Sequence, residues 1–211
     1  MSFLLPTLLF VIFFACVACL YTEGMWGNAI QLINVVTAAL LTMNFFEPVA
    51  DWVEGMAPTY RYLLDFLSMW FVFALSVTVL RVVTEQLSKV KVRFMKIADQ
   101  IGSVVLACWV GWVMVCFTAA TLHTAPLAKN FMFGGFQPEE RMLKGLAPDR
   151  QWLGFTQQIS LGAFKRSDTE RDVNERYAFD SKSEFMPKYN ARRSDLENLV
   201  TKTGEVRANV K

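Results

Sequence analysis

Four long apolar stretches occupy most of the first 122 residues and constrain the fold more than any other feature. They cover residues 3–20, 26–46, 63–83 and 101–122, and each approaches or exceeds the ~18 to 20 residues that a membrane-spanning helix needs. The first stretch lacks a basic start and a small-residue cleavage site, so we expect a retained span and not a signal peptide. The sequence therefore predicts an all-α integral membrane protein with four transmembrane helices in residues 1–124.

Basic residues cluster between the third and fourth spans, and this cluster sets the predicted orientation. The five basic residues are Arg81, Lys89, Lys91, Arg93 and Lys96. Loop 47–62, by contrast, has three acidic residues and one basic residue. Because basic residues in short loops stay on the cytoplasmic side, we predict that the five form a cytoplasmic membrane-surface anchor. Both termini are then predicted on the outer side.

The loop over residues 84–100 also has a helical periodicity. Its apolar residues recur at steps of three and four, and they are Val83, Leu87, Val90, Phe94 and Ile97. This spacing predicts an amphipathic helix lying on the cytoplasmic membrane surface. The strict alternation of KVKVRF (89–94) leaves a strand as the alternative.

The chain becomes polar after the fourth span. Residues 1–122 contain 13 charged side chains and residues 123–211 contain 27. A stretch this charged and this poor in apolar residues predicts that 165–211 is largely disordered. The aromatic residues within 177–189 either fold onto a partner or are tolerated in a linker.

Residues 125–164 are predicted to form an outward-facing, turn-rich segment that contains a short helix. The helix is expected over 148–164, because Pro148 suits a first helical turn and Asp149 suits the positive end of a helix.

The sequence contains none of the common catalytic or nucleotide-binding motifs. Its one histidine, His123, lies at the end of the fourth span, about 20 residues or ~30 Å from Ser103 at the other end. Cys16 and Cys19 lie inside an apolar run, where small core residues are the expected interpretation. We therefore expect no catalytic, metal or cofactor site, and no enzymatic activity. The net charge of +2 gives no reason to expect nucleic-acid binding.

Small and polar residues inside the spans predict a specific helix contact. The residues concerned are Gln31, Asn34 and Ala38 in the second span and Ser103, Ala107 and Gly111 in the fourth. Because helices in lipid associate through close backbone approach and interhelical hydrogen bonds, we expect these two faces to touch. Gln31 and Asn34 are expected to donate across the contact.

A second interpretation of the polar residues is a path for a solute, lined by Gln31, Asn34 and Thr37. Asp65 and Arg81, at the ends of the third span, are expected to extend to the membrane interfaces.

Several short motifs resemble the colicin V production protein (CvpA) family. They are Glu23-Gly24, a helix starting at Trp26, Asp99 and Gly102, and Gly111-Trp112. The resemblance covers about residues 1–125, and the first turn, YTEGM, lacks the basic residues that are usual in the family.

This resemblance implies a bacterial inner-membrane protein that assists colicin export or envelope homeostasis. We accordingly predict a non-enzymatic, multi-pass protein that contacts the lipid bilayer and binds a protein partner through its tail. The sequence is also compatible with a homo-oligomer. The alternative function is that of a small channel or transporter subunit.

Overall fold

The computed structural model describes residues 3–56, 60–88, 95–127, 141–162, 179–180 and 182–209. The helices are α1 (Leu4–Leu20), α2 (Gly24–Glu54), α3 (Arg61–Leu87), α4 (Lys96–Thr121), α5 (Pro148–Leu161) and α6 (Phe185–Asn209), with a short 3₁₀ turn at Leu143–Gly145. No strand occurs in these described ranges. The all-α prediction is therefore confirmed for the described part of the chain.

Three of the helices are long and apolar enough to cross a membrane, namely α2, α3 and α4. Helix α1 is more apolar than these three but has only 17 residues, or about 26 Å at 1.5 Å per residue. That length is short of a hydrocarbon core of about 30 Å. Three spans thus meet the length criterion, and the span predicted at residues 3–20 stays a prediction.

The long helices extend beyond their apolar stretches. Helix α2 continues through Pro48 to Glu54, although residues 47–62 were predicted to be a loop. That prediction was wrong for residues 47–54. A proline usually marks a helix boundary, because the residue before it disfavours the α conformation, but here the helix continues past Pro48. Helix α3 extends on both sides of residues 63–83, and α4 begins five residues before residue 101.

Helix α4 has the most neighbours in the bundle, because it packs against α1, α2 and α5, while α2 packs against α3 and α4. Small side chains at these contacts, Ala38, Ala39 and Ala107, are fully buried. They let the backbones approach closely, which favours helix association in lipid. One large apolar cluster continues from Val35 on α2 to Trp152 on α5. The bundle and α5 therefore share a core.

The loop between α3 and α4 lies only partly within the described residues. Val83 and Leu87 belong to the last turns of α3, and Ile97 lies in the first turn of α4. These residues therefore extend the two spans, where a separate amphipathic helix was predicted. Val90, Phe94 and the alternative strand over 89–94 lie outside the described residues.

The C-terminal region contains two helices. The predicted short helix over 148–164 is observed as α5. The prediction that 165–211 is largely disordered was wrong for residues 185–209, which form α6. Its first turns pack on the ends of the long helices, a stabilisation that the composition of the segment does not reveal. Residues 163–178, 181 and 128–140 lie outside the described part of the chain.

Candidate functional site

Polar contacts concentrate at the two ends of the bundle. The turn end is the end formed by the α1–α2 turn, the last turn of α3 and the first turns of α4. The cap end is the opposite end, where α5 and α6 (the cap) lie against α2, α3 and α4.

At the turn end, Asp99 of α4 caps the start of α2. The backbone N–H of Met25 donates to Asp99 Oδ1 at 3.0 Å. Gly24 before it has a φ of 77°, a left-handed conformation that glycine adopts without steric cost. Carboxylates stabilise helix N-termini through the unpaired N–H groups and the positive end of the dipole. Asp99 therefore fixes the start of α2 against α4.

Asn28 joins three helices beneath this cap. Its Nδ2 donates to the Leu20 carbonyl at 3.1 Å and to both the carbonyl and Oγ of Ser103 at 2.9 Å. The side chain is fully buried. Next to Ser103, a Cβ added at Gly102 would overlap the side chain of Met25. Asn28 was not predicted from the sequence, although an amide in an apolar run is a signal of interhelical hydrogen bonding.

The six residues predicted to join the second and fourth spans have different partners. Ser103 does meet α2, but through Asn28. Asn34 donates instead to Thr84 Oγ1 of α3, at 2.9 Å. A Cβ added at Gly111 would lie 3.1 Å from the Phe13 ring of α1. The predicted donation from Asn34 to α4 was therefore wrong, and Gly111 faces α1.

The remaining members of this set lie at the interior or along a crevice. Ala38 and Ala107 are fully buried. Gln31 is half-buried and lines a crevice between the helices at the turn end.

A crevice of about 1070 Å³ opens at the turn end. Residues of α1, α2, α3 and α4 line it, and Gln31 and Asn34 lie along its wall. Thr37, the third residue of the predicted polar path, is not among the lining residues.

The predicted membrane-surface anchor is partly described. Arg81 is exposed and pairs with Glu85, with Arg81 Nε 2.8 Å from Glu85 Oε1. Lys96 is exposed at the first residue of α4. Both lie at the turn end and line the crevice. The other three anchor residues, Lys89, Lys91 and Arg93, lie outside the described residues.

At the cap end, His123 and Asp149 form a buried pair. His123 Nε2 lies 2.9 Å from Asp149 Oδ2, and both side chains are 1% exposed. Asp149 occupies the first turn of α5, and His123 follows the end of α4. His123 was predicted to lie at the end of the fourth span without a catalytic role, and its pairing with Asp149 was not predicted. The pair attaches α5 to α4.

Three basic residues of α6 attach it to the other helices. Lys188 Nζ lies 2.5 Å from Glu47 Oε1 of α2, and Arg192 pairs with Asp65 of α3. Arg193 Nη2 donates to the His123 carbonyl at 3.1 Å. Asp65 was predicted to extend to the membrane interface, and the structure gives it Arg192 as a partner. Its position inside α3 was the signal for this, because a carboxylate in an apolar helix needs such a partner.

Aromatic rings continue this attachment into the core. Phe117 of α4 stacks on Phe73 at 4.5 Å between centroids and meets Trp70 and Trp152 edge-to-face at 5.7 and 6.0 Å. Phe46 of α2 meets Phe185 of α6 at 6.5 Å. Edge-to-face and offset geometries are the favourable ones for aromatic pairs.

The segment around Phe185 thus folds onto its own chain, where the sequence left a partner or a linker as the alternatives. Asp180 supports it, because its Oδ1 accepts from the Phe185 N–H at 2.9 Å and its carbonyl accepts from Gln157 Nε2 at 3.0 Å.

Burial under the cap changes two protonation equilibria. Burial raises the pKa of the Tyr189 hydroxyl, and the nearby Asp65 carboxylate adds to the effect. Burial also lowers the pKa of the Arg193 guanidinium. Desolvation disfavours the charged form of each group, so the neutral tyrosine suits its site.

A bundle of long apolar helices with its ion pairs near its ends is the architecture of an α-helical integral membrane protein. The family model for the colicin V production protein matches residues 6–137, which is more than half of the chain. The chain therefore belongs to the colicin V production protein family. Among the motif residues, Gly24, Trp26, Asp99 and Gly102 meet at the turn end. No curated protein and no solved structure matches the chain.

Proposed function

We propose that this chain is a non-enzymatic protein of the bacterial inner membrane that assists export or envelope homeostasis by binding a partner protein through its cap. The observation that supports this is the attachment of α6 to α2 and α3 through Lys188–Glu47 and Arg192–Asp65. A partner bound to the cap is thereby linked to the membrane helices.

The cap offers a defined surface for such a partner. A cleft of about 550 Å³ lies between α5 and α6, with Arg150, Gln157 and Asn190 among its polar lining residues and Leu153 and Met186 among its apolar ones. Polar groups around a partly apolar floor are typical of protein-binding surfaces.

The absence of enzymatic activity is part of the proposal. The buried His123–Asp149 pair has the acid–histidine arrangement of a catalytic dyad, but both side chains are 1% exposed. A substrate in water has no access to a pair so buried. The pair supports a structural role, since it attaches α5 to the end of α4.

The proposal also includes the orientation. The turn end carries Arg81 and Lys96 and continues into the basic segment 89–94, so it belongs in the cytoplasm by the rule that basic short loops stay inside. The cap end and the N-terminus then face the periplasm. Alkaline-phosphatase fusions should be active at residues 55 and 170 and inactive at residue 92. An active fusion at 92 beside an inactive one at 170 would reverse the orientation.

A variant in the cleft tests the partner contact. Gly154 lines the cleft, and a Cβ added there would meet nothing within 4 Å. Gly154→Arg therefore starts its side chain in open space and places a bulky cation in the cleft. Gln158→Arg, at an exposed position of the same helix outside the cleft, is the matched control. We expect crosslinking in intact cells to capture a partner with the parent and the control but not with Gly154→Arg. Equal capture by all three chains, or capture that survives deletion of residues 125–211, would contradict the proposal.

The crevice at the turn end favours a second candidate, a small channel or transporter subunit. Gln31 and Asn34 line it, and amide side chains can hydrogen-bond a solute inside a membrane. Solute flux into liposomes that is lost in Gln31→Leu would support this function. The same flux with and without Gln31→Leu would oppose it.

A further inference from the structure

We propose that the crevice at the turn end binds one phospholipid with a primary-ammonium headgroup, of the phosphatidylethanolamine class. The headgroup lies at the mouth of the crevice among charged side chains, and an acyl chain lies along its wall. This inference is independent of the partner-binding function proposed for the cap.

The dimensions of the crevice suit one leaflet of a bilayer. Its wall follows α2 from Gly24 to Val35, which is about 16 Å at 1.5 Å per residue. Half of a hydrocarbon core of about 30 Å is about 15 Å. Its volume of about 1070 Å³ is slightly larger than the about 300 to 1,000 Å³ of most small-molecule sites. The crevice therefore has the depth of a lipid tail.

The deep wall is apolar. Residues from three helices form it, and they include Val35, Phe73, Val77, Val110 and Met114. A fully polar solute would leave this surface in contact with water, at a cost proportional to the apolar area. An acyl chain removes the surface from water without requiring a polar group.

The mouth of the crevice carries charges of both signs. Lys96 and Arg81 supply cations, while Glu23, Glu85 and Asp99 supply carboxylates. Asp99 already accepts from the Met25 N–H, and Glu85 pairs with Arg81. Among the described residues, the exposed Lys96 and Glu23 form no ion pair of their own, so one is available for a phosphate and the other for an ammonium.

This charge pattern selects among occupants. The described lining residues of the mouth hold three carboxylates against two cations. An anionic lipid would place its net negative charge beside Glu23 and Glu85, and like charges repel. An apolar helix from another chain would bury Lys96 and Glu23 without partners, at a large desolvation cost. A headgroup with both a phosphate and a primary ammonium satisfies both signs.

Native mass spectrometry of the full-length chain in mild detergent tests the proposal. The protein is titrated with phosphatidylethanolamine, phosphatidylglycerol and phosphatidylcholine of identical acyl chains. Lys96→Glu removes the phosphate contact, and the new carboxylate in the first turn of α4 suits the positive end of the helix. Val77→Trp fills the apolar wall. Lys182→Glu, an exposed cation of the cap end, is the matched control.

We expect a one-to-one complex with phosphatidylethanolamine that is tighter than with the other two lipids. Lys96→Glu should weaken it about tenfold, the effect of losing one charge-assisted contact. Val77→Trp should abolish it, and Lys182→Glu should leave it unchanged. Equal binding of phosphatidylglycerol would overturn the proposal, as would parent-like binding by Lys96→Glu. It would also be overturned by a lipid-free dimer of the parent that Val77→Trp dissociates, because a second copy would then occupy the crevice.

Discussion

Removing the Asp149 carboxylate should loosen the attachment of α5 to the bundle. Asp149→Ala leaves His123 Nε2 buried without the oxygen that now lies 2.9 Å away. An unsatisfied buried polar group costs about 1 to 3 kcal/mol, and loss of a carboxylate from the first turn of a helix adds about 0.3 to 1 kcal/mol. Relief of the desolvation of the carboxylate itself acts in the opposite direction. We therefore expect α5 to be destabilised by about 2 kcal/mol.

Hydrogen exchange of the α5 amides, measured by mass spectrometry in detergent, reports this loss directly. A change of 2 kcal/mol corresponds to about a 30-fold faster exchange through opening of the cap. Asp195→Ala removes an exposed carboxylate of α6 and should leave α5 protection unchanged. Because the two groups form one contact, Asp149→Ala and His123→Ala should not be additive. Exchange in Asp149→Ala that stays within about threefold of the parent would refute this reasoning, since threefold is well under 1 kcal/mol.

Three further predictions concern the cap, the core and the turn end. Because burial raises the pKa of Tyr189, docking of α6 should be at full strength below about pH 10 and weaken as the pH rises past it. This weakening is measured as faster hydrogen exchange of the α6 amides at alkaline pH. The change in docking with pH should be absent in Tyr189→Phe. Phe117→Ala should lower the free energy of unfolding in detergent by about 3 to 5 kcal/mol. Phe71→Ala, at a side chain that is 62% exposed, should lower it little. Equal losses of stability in the two variants would contradict the aromatic core around Phe117. Gly102→Leu should lower the melting temperature, because the new side chain would overlap Met25. Gly154→Ala should instead stabilise α5 by about 0.5 to 1 kcal/mol. A higher melting temperature for Gly102→Leu than for Gly154→Ala would contradict both predictions.

The positions of the helices were accessible from the sequence because an apolar stretch of span length has few alternatives to a helix. The start of α5 at Pro148 was predicted for a similar reason, since local capping signals determine it. The end of α2 was not predicted. Glu47, directly before Pro48, pairs with Lys188 of α6, and no local pattern indicates a contact between residues 141 positions apart.

The partners of the small-residue stripe on α4 could not be predicted, and the reason is geometric. Residues four apart on an α-helix are displaced by about 40° around its axis, so Ser103 and Gly111 differ by about 80°. Ser103 consequently faces α2 and Gly111 faces α1. Which neighbour lies at which angle depends on the order of helices in the bundle, and the spacing alone does not contain that order.

The cap was missed because its contacts connect distant parts of the chain. Lys188, Arg192 and Arg193 lie in a charged stretch whose composition is typical of disorder. Their partners are single residues in α2, in α3 and after α4. No local pattern indicates such pairing, although a carboxylate at position 65 within an apolar helix indicated that some cation was near.

The separation of these contacts along the chain also sets an order of events during synthesis. Lys188 pairs with a residue 141 positions earlier, and Arg192 with one 127 positions earlier. At about 5 to 20 residues per second, the ribosome needs between about 6 and 28 seconds to cover such distances. For that interval α2 and α3 lie in the membrane while Glu47 and Asp65 still lack their cations. The newly inserted helices must therefore hold together through their own packing, and closure of the cap end is a late step in the biogenesis of the protein.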